Sequence, residues 1–378
     1  MNKVIVFVFF LVLGASIKAQ ERGSEKIVPI KYQGSYVIDL VNNINGGKKT
    51  GFSYLGRVNL RLSFETQSAN LWNNGEFLVN IINTHGGTPT DKLVGDFQGV
   101  SNIEAGNYTY FYELWYKHTV GDFAFCVGVQ DMAADFAVSD NAALFLNGSF
   151  GIHSTISSNV TSPIFPLTGL GAQVQWQVSP LLLIKAAGYD GLPDDFNKNP
   201  YNLKWDIKSN DGILSVVEFD YFSNLIDSLP GTYKLGFYYH NHLLNEDEDD
   251  LNYMNNYGYY FVVDRVIFEN LNGSKLTFFA QLGFGPTSKN ENNLYAGTGI
   301  SYTGLINNRE NDILGFAVAF AEFKNKNISE TTIEVSYLAQ ITDNVFIQPD
   351  IQYIINPAGT DLDLNNSLVG IVRLGLSL

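Results

Sequence analysis

The sequence predicts an all-β protein: a transmembrane antiparallel β-barrel of about 16 strands, with short periplasmic turns and longer extracellular loops. Three observations carry this. Apolar residues recur with period two along most of the chain, and several runs reach about 10 residues, the length of a tilted membrane-crossing strand. Tyr and Phe number 21 and 27 and gather near the run ends, where aromatic girdles lie at the membrane surfaces. Connections between runs alternate between terse and long.

The chain of 378 residues opens on its one continuous apolar run, MNKVIVFVFFLVLGASIKAQ. Lys3 supplies a positive start, residues 4–13 an apolar stretch of signal-peptide length, and Ala19 a small residue at the cut. Residues 1–19 are therefore expected to be a cleaved signal, residues 20–33 a short periplasmic segment, and residues 34–378 one barrel domain. Past the leader no run reaches the roughly 20 apolar residues of a membrane helix, so any span must be built from strands. Cys126 is the only cysteine, which excludes an internal disulfide. Export without bridges fits a bacterial envelope protein. A net charge of −15 disfavours nucleic acid and anionic lipid as partners.

The runs follow in order. From Phe52, one face reads Phe52, Tyr54, Gly56, Val58, Leu60, Leu62, Phe64, and the other carries Arg57, Asn59, Arg61 and Glu65. At 172–178, Ala172, Val174, Trp176 and Val178 alternate with Gln173, Gln175 and Gln177. Similar alternation runs through 123–130, 233–240, 275–284, 314–320, 333–341, 345–355 and 368–378. It breaks at 257–268, where Asp264 and Arg265 interrupt both faces, leaving a bulge there open. Terse connections fall at 119–122, 178–181 and 343–344; long polar ones fall at 84–107, 131–168, 190–211, 243–256 and 356–366. Dividing about 358 residues after the leader among roughly 16 strands leaves about 22 for each strand and its connection. Fourteen or 18 strands fit nearly as well, and a soluble β-sandwich shares the alternation.

In YFYELWYKHTVGDFAFCVGVQD (110–131) grease and charge are mixed. Read as two strands joined at Gly121 and Asp122, it turns Tyr110, Tyr112, Leu114, Tyr116, Phe123, Phe125, Val127 and Val129 toward lipid. Phe111, Glu113, Trp115, Lys117, Cys126 and Gln130 then face the lumen, as do Arg57 and Arg61 on the earlier strand.

Four stretches are similar to the carbohydrate-selective porins of the OprB-like family. They are YELWYKHTVGDFAFCVGVQDMAADFAVSDNAALFLNGSFG (112–151), PGTYKLGFYYH (230–240), YTGLINNRENDILGFAVA (302–319) and IEVSYLAQITDNVFIQPDIQYIINPAG (333–359). They occur in the family's order and cover nearly all of the chain from about Gly34. The resemblance implies a passive diffusion channel for mono- or oligosaccharides in the outer membrane. Two departures stand out: Val129, not a basic residue, precedes Gln130 and Asp131, and the chain ends in Leu378 rather than an aromatic residue.

A sugar channel must replace part of a sugar's hydration and still release it. Charged and amide groups pair with neighbouring hydroxyls, and aromatic rings pack on the C–H face. Arg57, Arg61, Glu113, Trp115, Lys117 and Gln130 are thus the expected pore-lining contacts. The segment 131–151 is too apolar for a solvated loop. Folding into the lumen would place Asp131 and Asp135 at the eyelet; contact with the rim or a neighbouring subunit is the other reading. Gln173, Gln175 and Gln177, and Gln348 and Gln352 with Asp350, read as neutral lumen walls.

NEDEDD (245–250) reads as a solvated loop, or as a patch bridging lipopolysaccharide through divalent cations. TDLDLNN (360–366) spaces acids like half of a calcium loop but lacks its glycine and its last ligand. His240 and His242 share a strand face without a third ligand. No cofactor, metal site or catalytic residue is expected: nucleophile-elbow, P-loop and zinc spacings are all missing. The rival readings are a general or ion-preferring porin and a membrane-barrel enzyme. A homo-oligomer is compatible with the sequence.

Overall fold

The computed structural model describes residues 28–208, 211–223, 229–244, 252–324, 328–359 and 364–378. The leader, the NEDEDD run, Asp361, Asp363 and the side chain of His242 lie outside the described residues. Sixteen strands form a closed barrel. They are β1 (Ile30–Asn45), β2 (Gly51–Glu65), β3 (Gly75–Gly86), β4 (Tyr108–Val120), β5 (Phe123–Gln130), β6 (Gly169–Ser179), β7 (Leu182–Asp190) and β8 (Ile213–Ser223). The second half comprises β9 (Gly231–Leu244), β10 (Asn252–Glu269), β11 (Lys275–Phe284), β12 (Asn292–Thr303), β13 (Ile313–Phe323), β14 (Ile328–Thr342), β15 (Val345–Ile355) and β16 (Ser367–Ser377). Each pairs antiparallel with its sequence neighbours, and β16 closes on β1 from Ser35↔Ser377 to Asn45↔Leu368. Closure leaves no strand edge unpaired in the membrane.

β1 begins at Ile30, within the stretch that the sequence assigns to a periplasmic segment. Both ends of the barrel chain lie at one rim, with the tight turns at 121–122, 180–181 and 343–344. Gly121 turns the first of these with φ of 56°, which a glycine adopts without steric cost. The long connections 87–107, 131–168 and 191–212 all leave the opposite, extracellular rim. The expected long loop 243–256 is shorter, because β9 runs to Leu244 and β10 starts at Asn252.

Alternation sets the two faces as the sequence predicts. On β15, Ile347, Ile351 and Tyr353 are exposed outward while Gln348, Asp350 and Gln352 are buried inward. On β5, Phe123, Phe125 and Val127 are exposed; Val129, expected beside them, is buried. The orientation of upper β4 differs from expectation. Asn80 pairs with Glu113 but Ile81 pairs with Phe111, so Tyr112 is an extra residue, a β-bulge. A bulge reverses the alternation beyond it. Tyr110 and Tyr112, expected toward lipid, are buried on the inner side with Ile82. A second bulge falls between Val266 and Phe268, just past the charged pair of β10. There Asp264 is buried and Arg265 donates to Tyr233 Oη at 3.1 Å.

The lumen is partly filled by chain. The apolar connection 131–168 folds inward and forms two cores with the wall. Met132, Phe136, Ile152 and Ile156 pack on Tyr189, Val216, Tyr238 and Tyr260. Phe145 and Phe150 pack on Phe279, Tyr295 and Ala317. The wall is carved to receive them: a Cβ on Gly315 would lie 2.4 Å from Leu144 Cδ2, and one on Gly283 would lie 2.1 Å from Thr155 Oγ1. Connection 87–107 also turns in, burying Val94, Val100 and Ile103 against Val41, Leu55, Val369 and Ile371. Burial of this surface explains why segment 131–151 is so apolar.

Candidate functional site

Segment 131–168 leaves β5 at Asp131, whose carboxylate accepts from Ala133 N at 2.9 Å and from the Tyr112 hydroxyl. It then crosses to the far wall, where inward-facing side chains take its backbone in turn. Lys185 Nζ donates to Asp135 O at 2.5 Å, Glu218 accepts from Ala137 N at 2.8 Å, and Lys234 Nζ donates to Val138 O at 2.7 Å. Asp264 accepts from Ser139 Oγ at 2.5 Å and Asn141 N at 3.1 Å. Glu334 accepts from Leu146 N at 2.5 Å and Asn147 N at 3.1 Å. Gln348 donates to Leu144 O at 2.6 Å. Connection 87–107 is held similarly, with Glu330 accepting from Phe97 N at 2.7 Å and Gln98 N at 2.9 Å. The two segments bond to each other through Asn102 N to Leu146 O at 2.8 Å and Gly148 N to Gly99 O at 2.7 Å.

These contacts divide the lumen into two unlike halves. From β7 round to β1, the inward cations are engaged by carboxylates or by the inserted segments. Lys185 bridges Glu218 at 2.5 Å and Asp220 at 2.8 Å, and Arg373 makes a two-pronged pair with Asp39 at 2.7 and 2.8 Å. From β2 to β6 the cations stay unpaired: Arg57, Arg61 and Lys117 make no ion pair among the described residues. Buried polar atoms without a hydrogen-bond partner among the described residues occur on both halves, Arg57 Nε, Asn59 Oδ1 and Gln173 Nε2 on one and Tyr189 Oη, Gln281 Oε1 and Asp350 Oδ2 on the other.

The expected site residues fall on this wall with differing roles. Arg61, Asn80 and Glu113 form one row across β2, β3 and β4. Glu113 accepts from Asn80 Nδ2 at 2.9 Å and Trp115 Nε1 at 3.1 Å, which fixes the carboxylate and aims the indole. Lys117 lies two residues below Trp115, opposite Glu76 and Cys126. Arg57 sits 5.7 Å from the centre of the Phe165 ring, a cation–π geometry. Asp135 accepts from Gln175 Nε2 at 3.3 Å. Gln130 is instead buried, its amide donating to Gly171 O at 2.9 Å, and Asp131 is tied to Tyr112 at the root of the inserted segment. Gln348 and Gln352, expected to line the lumen, are buried under the inserted segments; Gln352 donates to Val100 O at 2.9 Å. No group of His, Cys, Asp or Glu among the described residues is arranged to hold a metal ion.

Sequence reasoning missed the anchors Lys185, Glu218, Asp264, Glu330 and Glu334, and the rings Phe165 and Phe196. The anchors carried one signal: charges at inward positions within the strands. The rings sit on connections, where periodicity says nothing.

Residues 49–378 match the family described as carbohydrate-selective porin, OprB family. Porin B of Pseudomonas aeruginosa is 21% identical, over 90% of this chain and 85% of that one. A high-pH structure of Pseudomonas putida OprB superposes with a TM-score of 0.82 at 19% identity, covering 93% of this chain and 94% of that one. A low-pH structure of the same protein gives 0.61 at 16% identity, with 93% of each chain covered. With the family matched over most of its length and the 16-stranded barrel closed around a polar path, this chain belongs to the OprB family of carbohydrate-selective porins, an outer-membrane diffusion channel and not an enzyme.

Proposed function

We propose that mono- or oligosaccharides cross this channel along the β2–β6 wall, in contact with Arg57, Arg61, Glu113, Trp115, Lys117 and Asp135. The observation that carries this is the asymmetry of the lumen. Lys185, Lys234 and Arg373 of the opposite wall are each engaged by a carboxylate or by an inserted backbone carbonyl, whereas Arg57, Arg61 and Lys117 of β2–β6 make no ion pair among the described residues. A sugar needs paired donors and acceptors beside an apolar face, and the Asn80–Glu113–Trp115 group offers both. Glu113 is held by two donors and retains acceptor capacity for a hydroxyl. Gln130 and Asp131 act as positioning residues for the wall and the inserted segment. Transport is passive and no bond is made or broken.

In a planar bilayer with a sugar panel, permeant sugars reduce the salt current. Glu113→Ala and Trp115→Ala weaken that block while the barrel stays folded. Free passage of salt with no block by any sugar would remove the carbohydrate reading. The three unpaired cations favour a second property on the same wall, preference for anions over cations, which a reversal potential in a salt gradient measures. The leader 1–19 is cleaved on export, residues 20–33 precede or enter the first strand, and the outer surface meets lipid, lipopolysaccharide and, in a homo-oligomer, a second copy. Mass spectrometry of the membrane-extracted protein reads both the cleavage and the assembly.

A further inference from the structure

We infer that Asn202 and Thr168 are positioning residues for sugar passage: together they clamp the β4 bulge that carries Glu113. This rests on the carbohydrate reading and deepens it.

Upper β4 needs such a clamp. β5 ends at Gln130, and its last pairing to β4 is Leu114↔Val129, so β4 beyond Leu114 has no strand on that side. The ladder to β3 is interrupted there as well, because Tyr112 is the extra residue of the bulge. Backbone groups that leave a ladder inside a protein must find other partners, and two connections supply them. Phe111 N donates to Tyr201 O at 3.1 Å, and Phe111 O accepts from Asn202 Nδ2 at 3.1 Å. Tyr112 O accepts from Thr168 Oγ1. Asn202 Nδ2 also donates to Thr168 Oγ1 at 3.0 Å, so both amide protons are in use and the two side chains brace each other.

The clamp is itself held firmly. Asn202 is 3% exposed and Thr168 0%. Asn199, also buried, accepts from Leu203 N at 2.9 Å and Lys204 N at 3.1 Å and donates to Lys204 O at 2.9 Å. These bonds close the turn that presents Asn202, whose φ of 51° is a left-handed conformation that asparagine tolerates. Trp205 Nε1 donates to Asn202 O at 2.9 Å. The side chain of Tyr112 is fixed too, by its hydroxyl bond to Asp131.

Glu113 follows Tyr112 directly, so its backbone moves with the bulge. Asn80 and Trp115 orient its carboxylate, but neither holds the chain that carries it. Release of Phe111 and Tyr112 therefore shifts Glu113 while β4 from Leu114 onward keeps its ladder to β5. A binding constellation works only when its groups are held within about 0.5 Å, so a small shift is enough to weaken sugar contact. Connection 191–212 thus governs a contact that it does not itself make.

The test is block of single-channel current by glucose, galactose and mannose in the protein purified from the outer membrane. Wild type, Asn202→Gly, Thr168→Val, Thr168→Ser and Glu113→Gln are compared, and the first two substitutions are also combined with Glu113→Gln. Glycine keeps the left-handed backbone and removes only the side chain; valine removes only the hydroxyl. Salt conductance and heat-modifiable migration show whether each barrel is intact. The expected result is affinity for the blocking sugar about fivefold lower in Asn202→Gly and Thr168→Val, the order of one neutral hydrogen bond. Thr168→Ser, which keeps the hydroxyl, retains wild-type affinity. In the Glu113→Gln background neither substitution lowers affinity further, because the group they position is already altered. An equal loss in both backgrounds would show that they act elsewhere and overturn the clamp. Unchanged affinity in Asn202→Gly and Thr168→Val would overturn it too, and both outcomes leave the carbohydrate reading standing. A wild type that none of the three sugars blocks would overturn the clamp together with that reading. Where Asn202→Gly fails to form a barrel, Thr168→Val decides by the same comparison.

Discussion

Replacing Glu334 by alanine should release the middle of the inserted segment without opening the barrel. Its two carboxylate oxygens are the acceptors for Leu146 N at 2.5 Å and Asn147 N at 3.1 Å, and all three residues are fully or nearly fully buried. A hydrogen bond to a charged group contributes about 1.5–3 kcal/mol, so two give about 3–6 kcal/mol. The low end applies, because Asp350 is a diagonal neighbour on β15 and losing a like charge offsets part of the cost. Phe145 and Phe150 still hold the segment through their packing, so opening stays local. About 3 kcal/mol corresponds to roughly a hundredfold more frequent opening, at 1.4 kcal/mol per decade. Amide hydrogen exchange reads it directly: Leu146 and Asn147 exchange about a hundredfold faster in the variant, while amides of β11–β13 keep their protection. In a bilayer the open-channel noise rises. If exchange at these two amides is the same in variant and wild type, the carboxylate does not hold the segment and the reasoning fails.

Other perturbations follow from the same geometry. Lys185→Met strands Glu218 and Asp220, both buried, without their cation; such a loss costs about 3–5 kcal/mol and should lower the urea midpoint. Adding Glu218→Gln and Asp220→Asn should restore much of it. Gly315→Leu puts a side chain where Leu144 and Phe145 lie, so the inserted segment is displaced and single-channel conductance rises. A conductance equal to wild type would refute that. In connection 87–107, burial pushes the Glu104 carboxyl up to about 6 from its ordinary value. The folded loop then holds the proton more tightly than the unfolded chain, so its protection falls as pH rises from about 4.5 through 6. Glu104→Gln should flatten that dependence, measured by exchange at Thr90 N, which donates to Glu104 at 3.2 Å.

Much of the barrel was legible because lipid and water impose a strict period of two. Arg57, Arg61, Glu113, Trp115 and Lys117 were placed on the inner face by that rule alone. The rule failed at Tyr110 and Tyr112, where one extra residue reverses the phase; a bulge leaves no local signature when both faces are aromatic. The apolar composition of 131–151 told that it is covered, but not by which wall. Its anchors lie up to 205 positions away in sequence, as for Asn147 Nδ2 and Gln352 Oε1 at 3.3 Å, a separation that periodicity cannot bridge. Gln348 and Gln352 were misjudged for the same reason, and Gln130 because its amide turns to Gly171 O on the neighbouring strand. An amide facing a lumen looks alike whether it meets water or a folded-in backbone.

The far reach of those anchors has a consequence for biogenesis. Phe97 finds Glu330 across 233 residues, and Ser101 finds Asp39 at 2.6 Å from the first strand. Contacts this distant form late, after the intervening chain is ordered. Connection 87–107 therefore has its full set of receptors only once β14 and β15 are in place, and a barrel whose segments are not yet docked is a wider hole. Narrowing is complete only when those late strands have arrived. Until it happens, the leakiness of the membrane reports on unfinished molecules, and permeability to solutes larger than the final substrate is a clock for docking.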